Sequence, residues 1–412
     1  MDVHMETKSV STEKEAVVGK VWIVLLLGSL TAFGPLSMDM YLPALPIVTA
    51  DMQTTASLAQ LSLTACLLGL ASGQLIFGPL SDMKGRRQPL VFTLIAYATA
   101  SLLCAFSPNI WIFVAMRFIQ GFSAAAGIVI ARASARDLYN GKELTKFMAM
   151  LALVSGAAPI LAPIFGGAVL NWFDWPYIFV MLCLIGLVMF LGVIFLLPET
   201  LPEERRAEAS LFGVFQAFGG LLKDKAFLKI AFIQGFNSMA MFAYIAGSPF
   251  VLQNIYHVTP QQFSLIFAMN GIGIIAAAQI TGKLANKVDE GKLLFAGVTL
   301  SLIGSSLVFI VALLHLPLWI IIFSLFLAVS SVGIVNTTSF SLAMQRQGNA
   351  AGSASAFLGI LPFGGGALVS PLVGIGGEFT ALPLGMMMIS CSFLGFGLYL
   401  SLRRSVRASA EI

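Results

Sequence analysis

The chain has 412 residues, of which 58% are hydrophobic and only 10% charged, and its net charge is +4. Soluble globular chains carry about a quarter charged residues, so this composition excludes a soluble fold and points to a lipid bilayer as the solvent. The positive balance belongs to one set of loops and gives no sign of a nucleic-acid partner.

In chain order, the first twenty residues are polar and mixed in charge, with no cleavable signal peptide evident. About twelve apolar runs follow, where crossing the hydrocarbon takes about 20 residues as a helix. Six begin near Val21, Ser57, Pro89, Ile110, Phe147 and Trp175, and six near Ala226, Gln262, Leu293, Pro317, Ala351 and Thr380. The expected architecture is all-α and integral to the membrane, with about twelve transmembrane helices in two six-helix pseudo-symmetric bundles. Residues 1–20 are expected as an N-terminal tail, 21–197 as the first bundle, 198–225 as a linker, 226–402 as the second bundle and 403–412 as a C-terminal tail. Within the linker, Leu211, Val214, Phe215, Phe218, Leu221 and Leu222 recur at helical spacing. That pattern predicts an amphipathic helix on the membrane surface, with a plain solvated linker as the alternative.

The loops alternate in charge. Lys84, Arg86 and Arg87 fall in one loop; Arg132, Arg136, Lys142 and Lys146 in the next but one; Arg205, Arg206, Lys223, Lys225 and Lys229 around the linker; then Lys283, Lys287, Lys292 and Arg346. The tails add Lys8, Lys14, Lys20, Arg403, Arg404 and Arg407, and the intervening loops hold no basic residue. The positive-inside rule then expects both termini and the basic loops in the cytoplasm. Trp111, Trp172, Trp175 and Trp319 fall at the outer ends of runs and Trp22 at an inner end, as interfacial anchors do. The cysteines Cys66, Cys104, Cys183 and Cys391 lie within apolar runs, and His4, His257 and His315 are scattered. No metal-ligand spacing results, and no metal site is expected.

Three segments stand out. After the second run comes Gly78-Pro-Leu80-Ser-Asp82-Met-Lys84-Gly85-Arg86-Arg87, echoed after the eighth by Gly282-Lys-Leu284-Ala-Asn286 at an offset of 204 residues (282 − 78). Such internal repeats build carriers from two bundles around a midplane site. In the first loop an acid faces paired arginines, and charge-assisted pairs between them can clasp neighbouring helix ends; a turn carrying positive charge is the plainer reading. The other two features are single charges. Asp39 is the one acid clearly inside an apolar run and Arg117 the one base. A charge at the bilayer centre costs roughly 2.5–3.5 kcal/mol on insertion scales, so such residues face a cavity or a partner. At about 1.5 Å per residue, Arg117 sits roughly 10 Å from the outer end of its run. Asp39, late in an outward-going run, also sits in the outer half, so the two are expected to meet or to share one aqueous cavity.

The Gly78–Arg87 segment resembles the signature loop of the major facilitator superfamily, Gly-x-Leu-Ala-Asp-x-x-Gly-Arg-Arg/Lys, with Ser81 in place of Ala. Met38-Asp39-Met40-Tyr41-Leu42-Pro43-Ala44-Leu45-Pro46, Arg117-Phe-Ile-Gln120-Gly121 and Phe242-Ala-Tyr244-Ile-Ala-Gly-Ser248-Pro249-Phe250 narrow the likeness. Together they are similar to the Bcr/CflA, bicyclomycin-resistance-like branch of bacterial drug:proton antiporters, nearly end to end. The resemblance implies a gating role for Gly78, Asp82, Gly85, Arg86 and Arg87, and a part in proton transfer for Arg117. Pro163-Ile-Phe-Gly166-Gly167 resembles the helix-packing antiporter motif, although Ala158 and Ala162 replace its two earlier glycines. Asn286 stands where the second-half loop would have an acid, so the first half is expected to carry the stronger gate.

The expectation that follows is a monomeric secondary carrier in a bacterial cytoplasmic membrane, exporting small drug-like or antibiotic molecules in exchange for protons, with the proton as coupling ion and no cofactor. Burial and a neighbouring cation act oppositely on the ionisation of a carboxyl, so a cavity opening and closing around Asp39 lets it take and release a proton while Arg117 tunes the exchange. The alternative is a static Asp39–Arg117 bridge bracing two helices. A lining of Met38, Tyr41, Asn237, Met241, Phe242, Tyr244 and Ser248 would suit apolar or cationic compounds, since thioethers and aromatic faces adapt to both. Uptake of a metabolite by the same fold is the runner-up. A membrane-embedded transferase lacks the His, Asp or Ser cluster it would need, and no phosphate loop for ATP is present.

Overall fold

A computed structural model describes residues 22–206, 219–345, 347 and 351–410. Most of the linker segment expected to be amphipathic, Leu211 to Phe218, lies outside the described residues, as do Lys8, Lys14, Lys20 and Arg346. Of the residues in that pattern Leu221 and Leu222 are described: Leu221 is buried against Phe227 and Ile230, and Leu222 is exposed.

The first span is broken into α1 (Trp22–Thr31), α2 (Phe33–Asp39) and α3 (Leu45–Asp51). Then come α4 (Ala56–Lys84), α5 (Arg87–Ala105), α6 (Ile110–Leu138), α7 (Gly141–Val169) and α8 (Pro176–Leu196). The second half holds α9 (Lys225–Phe250), α10 (Pro260–Leu284), α11 (Glu290–Leu314), α12 (Leu318–Gln345), α13 (Ala351–Val373) and α14 (Leu382–Ala410). Among the described residues eleven helices are long and apolar enough to cross a membrane, and the bent first pair, taken as one span, makes the twelfth. No strand occurs among the described residues. Helix starts are set by local caps: the Asn109 carboxamide accepts from the backbone of Trp111 and Ile112, Asp224 from Ala226 and Phe227, and Thr259 with Gln262 forms a capping box. Each satisfies backbone N–H groups that a helix start leaves orphaned.

The two halves repeat one packing plan. In the first, α4 lies along α6 and α5 along α8; in the second, α10 lies along α12 and α11 along α14. Small residues make the close crossings, as expected where lipid supplies no hydrophobic drive between helices. Gly69 and Gly73 admit the backbone of α6 around Phe118 and Phe122, and Gly121 admits that of α4 at Cys66. Gly333 does the same for α10 at Ile274 and Ala278. The halves meet along two seams, α4 with α13 and α7 with α10.

The hydrogen bonds that cross these seams cluster at the end remote from the basic loops. Ser57 Oγ donates to the Pro371 carbonyl at 3.0 Å, Gln60 Nε2 to Ala246 at 3.0 Å and Thr64 Oγ1 to Ala367 at 3.2 Å. Gln253 Nε2 reaches the Pro43 carbonyl at 3.1 Å and Gln261 Nε2 that of Gly167 at 3.2 Å. The halves are thus pinned together at this far end.

Candidate functional site

Between the halves lies a cavity of about 190 Å³. Its first-half wall begins at the break in the first span. Pro35 has no N–H to offer the preceding turn and crowds its carbonyl, and the span bends by 42° between Trp22–Thr31 and Phe33–Asp51. Asp39 is the last residue of α2, ahead of the turn into Leu42–Ala44. With Gly34 and Met38 it faces the cavity. Asp39 is only 5% exposed, and its Oδ1 has no hydrogen-bond partner.

The opposite wall comes from α9 and α10. Met241, Phe242, Tyr244, Phe267 and Asn270 line it, with Phe363 of α13. Asn270 Nδ2 donates to the Tyr244 hydroxyl at 2.8 Å, while Asn270 Oδ1 is buried and unpartnered. The chamber is therefore apolar and aromatic, with two unsatisfied oxygens, one carboxylate and one amide, set into facing walls.

Arg117 is fully buried, yet it lies behind the first-half wall and forms no ion pair with Asp39. Of the two arrangements left open by the sequence, direct pairing or one shared cavity, the fold shows no ion pair, and only Asp39 lines the chamber. Arg117 Nη1 donates to the Ser37 carbonyl at 2.7 Å and to Gln120 Oε1. Gln120 Nε2 in turn donates to Ser101 Oγ at 2.7 Å. The guanidinium stands 4.5 Å from the centroid of the Tyr41 ring and 5.6 Å from that of Phe179, so aromatic faces supply the negative potential that a carboxylate would otherwise give. Its Nε and Nη2 have no partner. The cation is linked to Asp39 through the α2 backbone, two residues away at Ser37.

Of the lining residues expected from sequence, Met38, Met241, Phe242 and Tyr244 face the cavity. Three do not. Tyr41 packs on Arg117 and hydrogen-bonds Ser62 Oγ at 2.5 Å. Asn237 accepts from Ser331 Oγ at 3.4 Å within the second half, and Ser248 is fully buried with an unpartnered hydroxyl. Asn270 and Gln120 went unsingled for the cavity and the cation respectively; each is a neutral amide in an apolar run, a faint signal beside a charge.

Gly166 and Gly167 bring the elements of the site together. A Cβ on Gly166 would strike the Met40 carbonyl, next to Asp39, and one on Gly167 would strike the Ser264 hydroxyl of α10. Pro163, one turn earlier, is buried in the same helix.

The motif at the basic end forms a clasp. Arg86 Nη1 binds Asp82 Oδ1 at 2.5 Å and Ser81 Oγ at 2.8 Å, and its Nε binds Asp137 Oδ2 at 2.8 Å. Burial works against its charge, and the Asp137 and Asp82 carboxylates outweigh it, holding the guanidinium above its ordinary pKa. Glu199 accepts from the backbone N–H groups of Arg86 at 2.8 Å, Arg87 at 3.1 Å and Leu201 at 3.0 Å. Arg87 Nη2 donates to the Ile194 carbonyl at 2.5 Å. Gly85 has φ +85°, and a Cβ there would meet the Glu199 carboxylate, so both turn and packing require glycine. Gly78 is unlike it, with Val129 Cγ1 at an ordinary 3.7 Å. The clasp joins the ends of α4, α5, α6 and α8, all in one half; Asp137 and Glu199, outside the signature, are its other acids.

Two repeated six-helix halves around a central chamber, sealed by hydrogen bonds at one end, define a multi-pass membrane transporter. Residues 27–371 match the Major Facilitator Superfamily, and the chain belongs to that family. It is 45% identical over 375 residues to the uncharacterized MFS-type transporter YdgK of Bacillus subtilis, covering 90% of this chain and 93% of that one. It is 31% identical to the bicyclomycin resistance protein homolog of Haemophilus influenzae, covering 89% and 92%. A bacterial homolog of the human lysosomal transporter Spinster, solved in an inward-facing and unoccupied conformation, superposes with a TM-score of 0.73 at 13% identity over 94% of this chain and 97% of that one; this likeness concerns the fold.

Proposed function

We propose that this transporter exports small drug-like molecules in exchange for protons, as a monomer in a bacterial cytoplasmic membrane with both termini inside. The observation that carries the reading is the Asp39 carboxylate, unpartnered in the wall of an apolar, aromatic chamber between the halves. A buried charge without a partner is costly, and a proton or a cationic or donor-bearing substrate relieves that cost. The two therefore compete for one group, which is what exchange requires. The likeness to a bicyclomycin resistance homolog supports an antibiotic-like substrate, and the alternation of basic loops with loops that lack Lys and Arg supports the orientation.

In this orientation the far-end seals lie outside, closing the chamber toward the external phase. Arg117, held on neutral acceptors and rings, sets a fixed positive charge linked to the carboxyl through the α2 backbone. The energetics are adequate: one charge crossing 100 mV releases about 2.3 kcal/mol, and at about 1.4 kcal/mol per decade this supports roughly 40-fold accumulation per proton exchanged for a neutral compound.

The test is transport into everted membrane vesicles energised by respiration. Asp39→Asn is expected to abolish energised loading of an exported antibiotic while leaving downhill exchange of the same compound. Undiminished loading by Asp39→Asn would show that the acid is only structural.

A further inference from the structure

A second cavity, of about 510 Å³, lies away from the central chamber, among the basic-loop ends of α9, α11, α12 and α14. Its floor is apolar, formed by Ile230, Leu294, Phe295, Leu342 and Leu402. Phe295 packs against Phe396 and Tyr399, with ring centroids 6.1 and 5.5 Å apart, and the Tyr399 hydroxyl donates to the Gly291 carbonyl at 2.9 Å. These contacts join α11 and α14 at one wall of the cavity.

The rim is charged. Lys292 and Arg403 both line the cavity and are exposed, and neither forms an ion pair among the described residues. Asp289 also lines it; its Oδ1 accepts the Lys292 backbone N–H at 3.1 Å, leaving Oδ2 free of that bond. Lys292 and Arg403 stand at the matching ends of the candidate spans Glu290–Leu314 and Leu382–Arg403, so on the orientation proposed above they lie at the headgroup level of the inner leaflet.

We infer that this cavity binds one anionic glycerophospholipid of the inner leaflet, of the phosphatidylglycerol type. The phosphate sits between Lys292 and Arg403, the ester region covers the apolar floor, and a headgroup hydroxyl donates to Asp289. A dissolved phosphate would satisfy the two cations but not the floor. Basic pockets between membrane helices on the cytoplasmic side suit such headgroups, and the charge complementarity here is local, made by two cations free of acidic partners. The inference does not depend on what the central chamber carries or on proton coupling.

The experiment uses the purified full-length transporter in micelles doped with dioleoyl phosphatidylglycerol or phosphatidylcholine. Retained lipid is counted by native mass spectrometry, and affinity is read from the melting temperature as lipid is titrated. The wild type is expected to keep one phosphatidylglycerol and no phosphatidylcholine. Lys292→Gln with Arg403→Gln is expected to weaken phosphatidylglycerol about 30-fold, at the usual contribution of a basic residue near a charged membrane surface. Leu342→Trp, which fills the floor without changing charge, is expected to displace the lipid as well, and it keeps the test valid should the double variant fail to fold. Lys142→Gln with Lys146→Gln, the same charge change in the other half, is expected to leave binding as it was. Binding by the rim and floor variants that equals the wild type's overturns the proposal. So does equal loss in the Lys142, Lys146 pair, which would mean diffuse attraction, or displacement of the lipid by millimolar inorganic phosphate, which would make the occupant a soluble anion.

Discussion

Gly166→Ala is the sharpest probe of how the site is assembled. A methyl group there would overlap the Met40 carbonyl, a main-chain atom that moves only if the α2–α3 break moves with it. Overpacking of this kind costs about 1–3 kcal/mol. Against it stands the gain from replacing glycine in a helix, about 0.5–1 kcal/mol, so the net effect is a loss of up to roughly 2.5 kcal/mol. Gly78→Ala provides the reference: with Val129 Cγ1 at 3.7 Å it meets no obstacle and should show only the gain. Denaturant unfolding of the two purified variants in the same micelle is expected to give shifts of opposite sign. Energised transport should fall in Gly166→Ala, because Met40 adjoins Asp39. If Gly166→Ala is as stable as Gly78→Ala, the close approach of α7 to the break is not what holds the carboxylate in place.

Other consequences can be measured in the same preparations. Gln120→Leu removes one of the two acceptors of a fully buried guanidinium and is expected to cost about 1.5–3 kcal/mol, whereas Gln120→Glu keeps an acceptor; equal unfolding midpoints for the two would contradict this. Arg86→Gln, which cuts the donors to Asp82, Ser81 and Asp137, is expected to lose about 2 kcal/mol. Asp82→Asn should lose less than about 1 kcal/mol, since Asp82 is half exposed and Asp137 remains. Gln60→Leu deletes a bond across the far-end seam and, at about 1 kcal/mol per hydrogen bond, should raise the outward-open population about fivefold, read as faster labelling of a Met241→Cys variant from outside. Asn270→Ala is expected to raise the substrate concentration for half-maximal transport while leaving proton leak unchanged, because it lines the wall opposite Asp39.

Much of the architecture was legible in the residues, because hydrocarbon demands long apolar runs and the loops carry their charge on one side. Asp39 and Arg117 stood out for the same reason: a charge inside an apolar run needs explaining. Their separation was not legible. It depends on the bend ahead of Pro35 and on rings of Tyr41 and Phe179 that come from distant runs, and the sequence order does not say that aromatic faces will replace a carboxylate. Tyr41, read as lining for its aromatic face, turns behind the wall once α2 ends. Asp137 and Glu199 were missed as clasp partners because an acid near a helix end is commonplace in solvated loops. The neutral amides of Gln120 and Asn270 carry no charge penalty and so leave hardly any trace in a hydropathy pattern.

The far-end seam has one more property. Its acceptors at Pro43, Gly167, Ala246, Ala367 and Pro371 are all main-chain carbonyls, which every amino acid possesses. Positions 246 and 367 can therefore drift among small side chains without unlatching the closure, while Gln60 and Thr64 cannot. Relatives of this transporter are free to vary the residues that lend only a carbonyl to the latch, so long as the donor side chains, three from the first half and two from the second, stay polar.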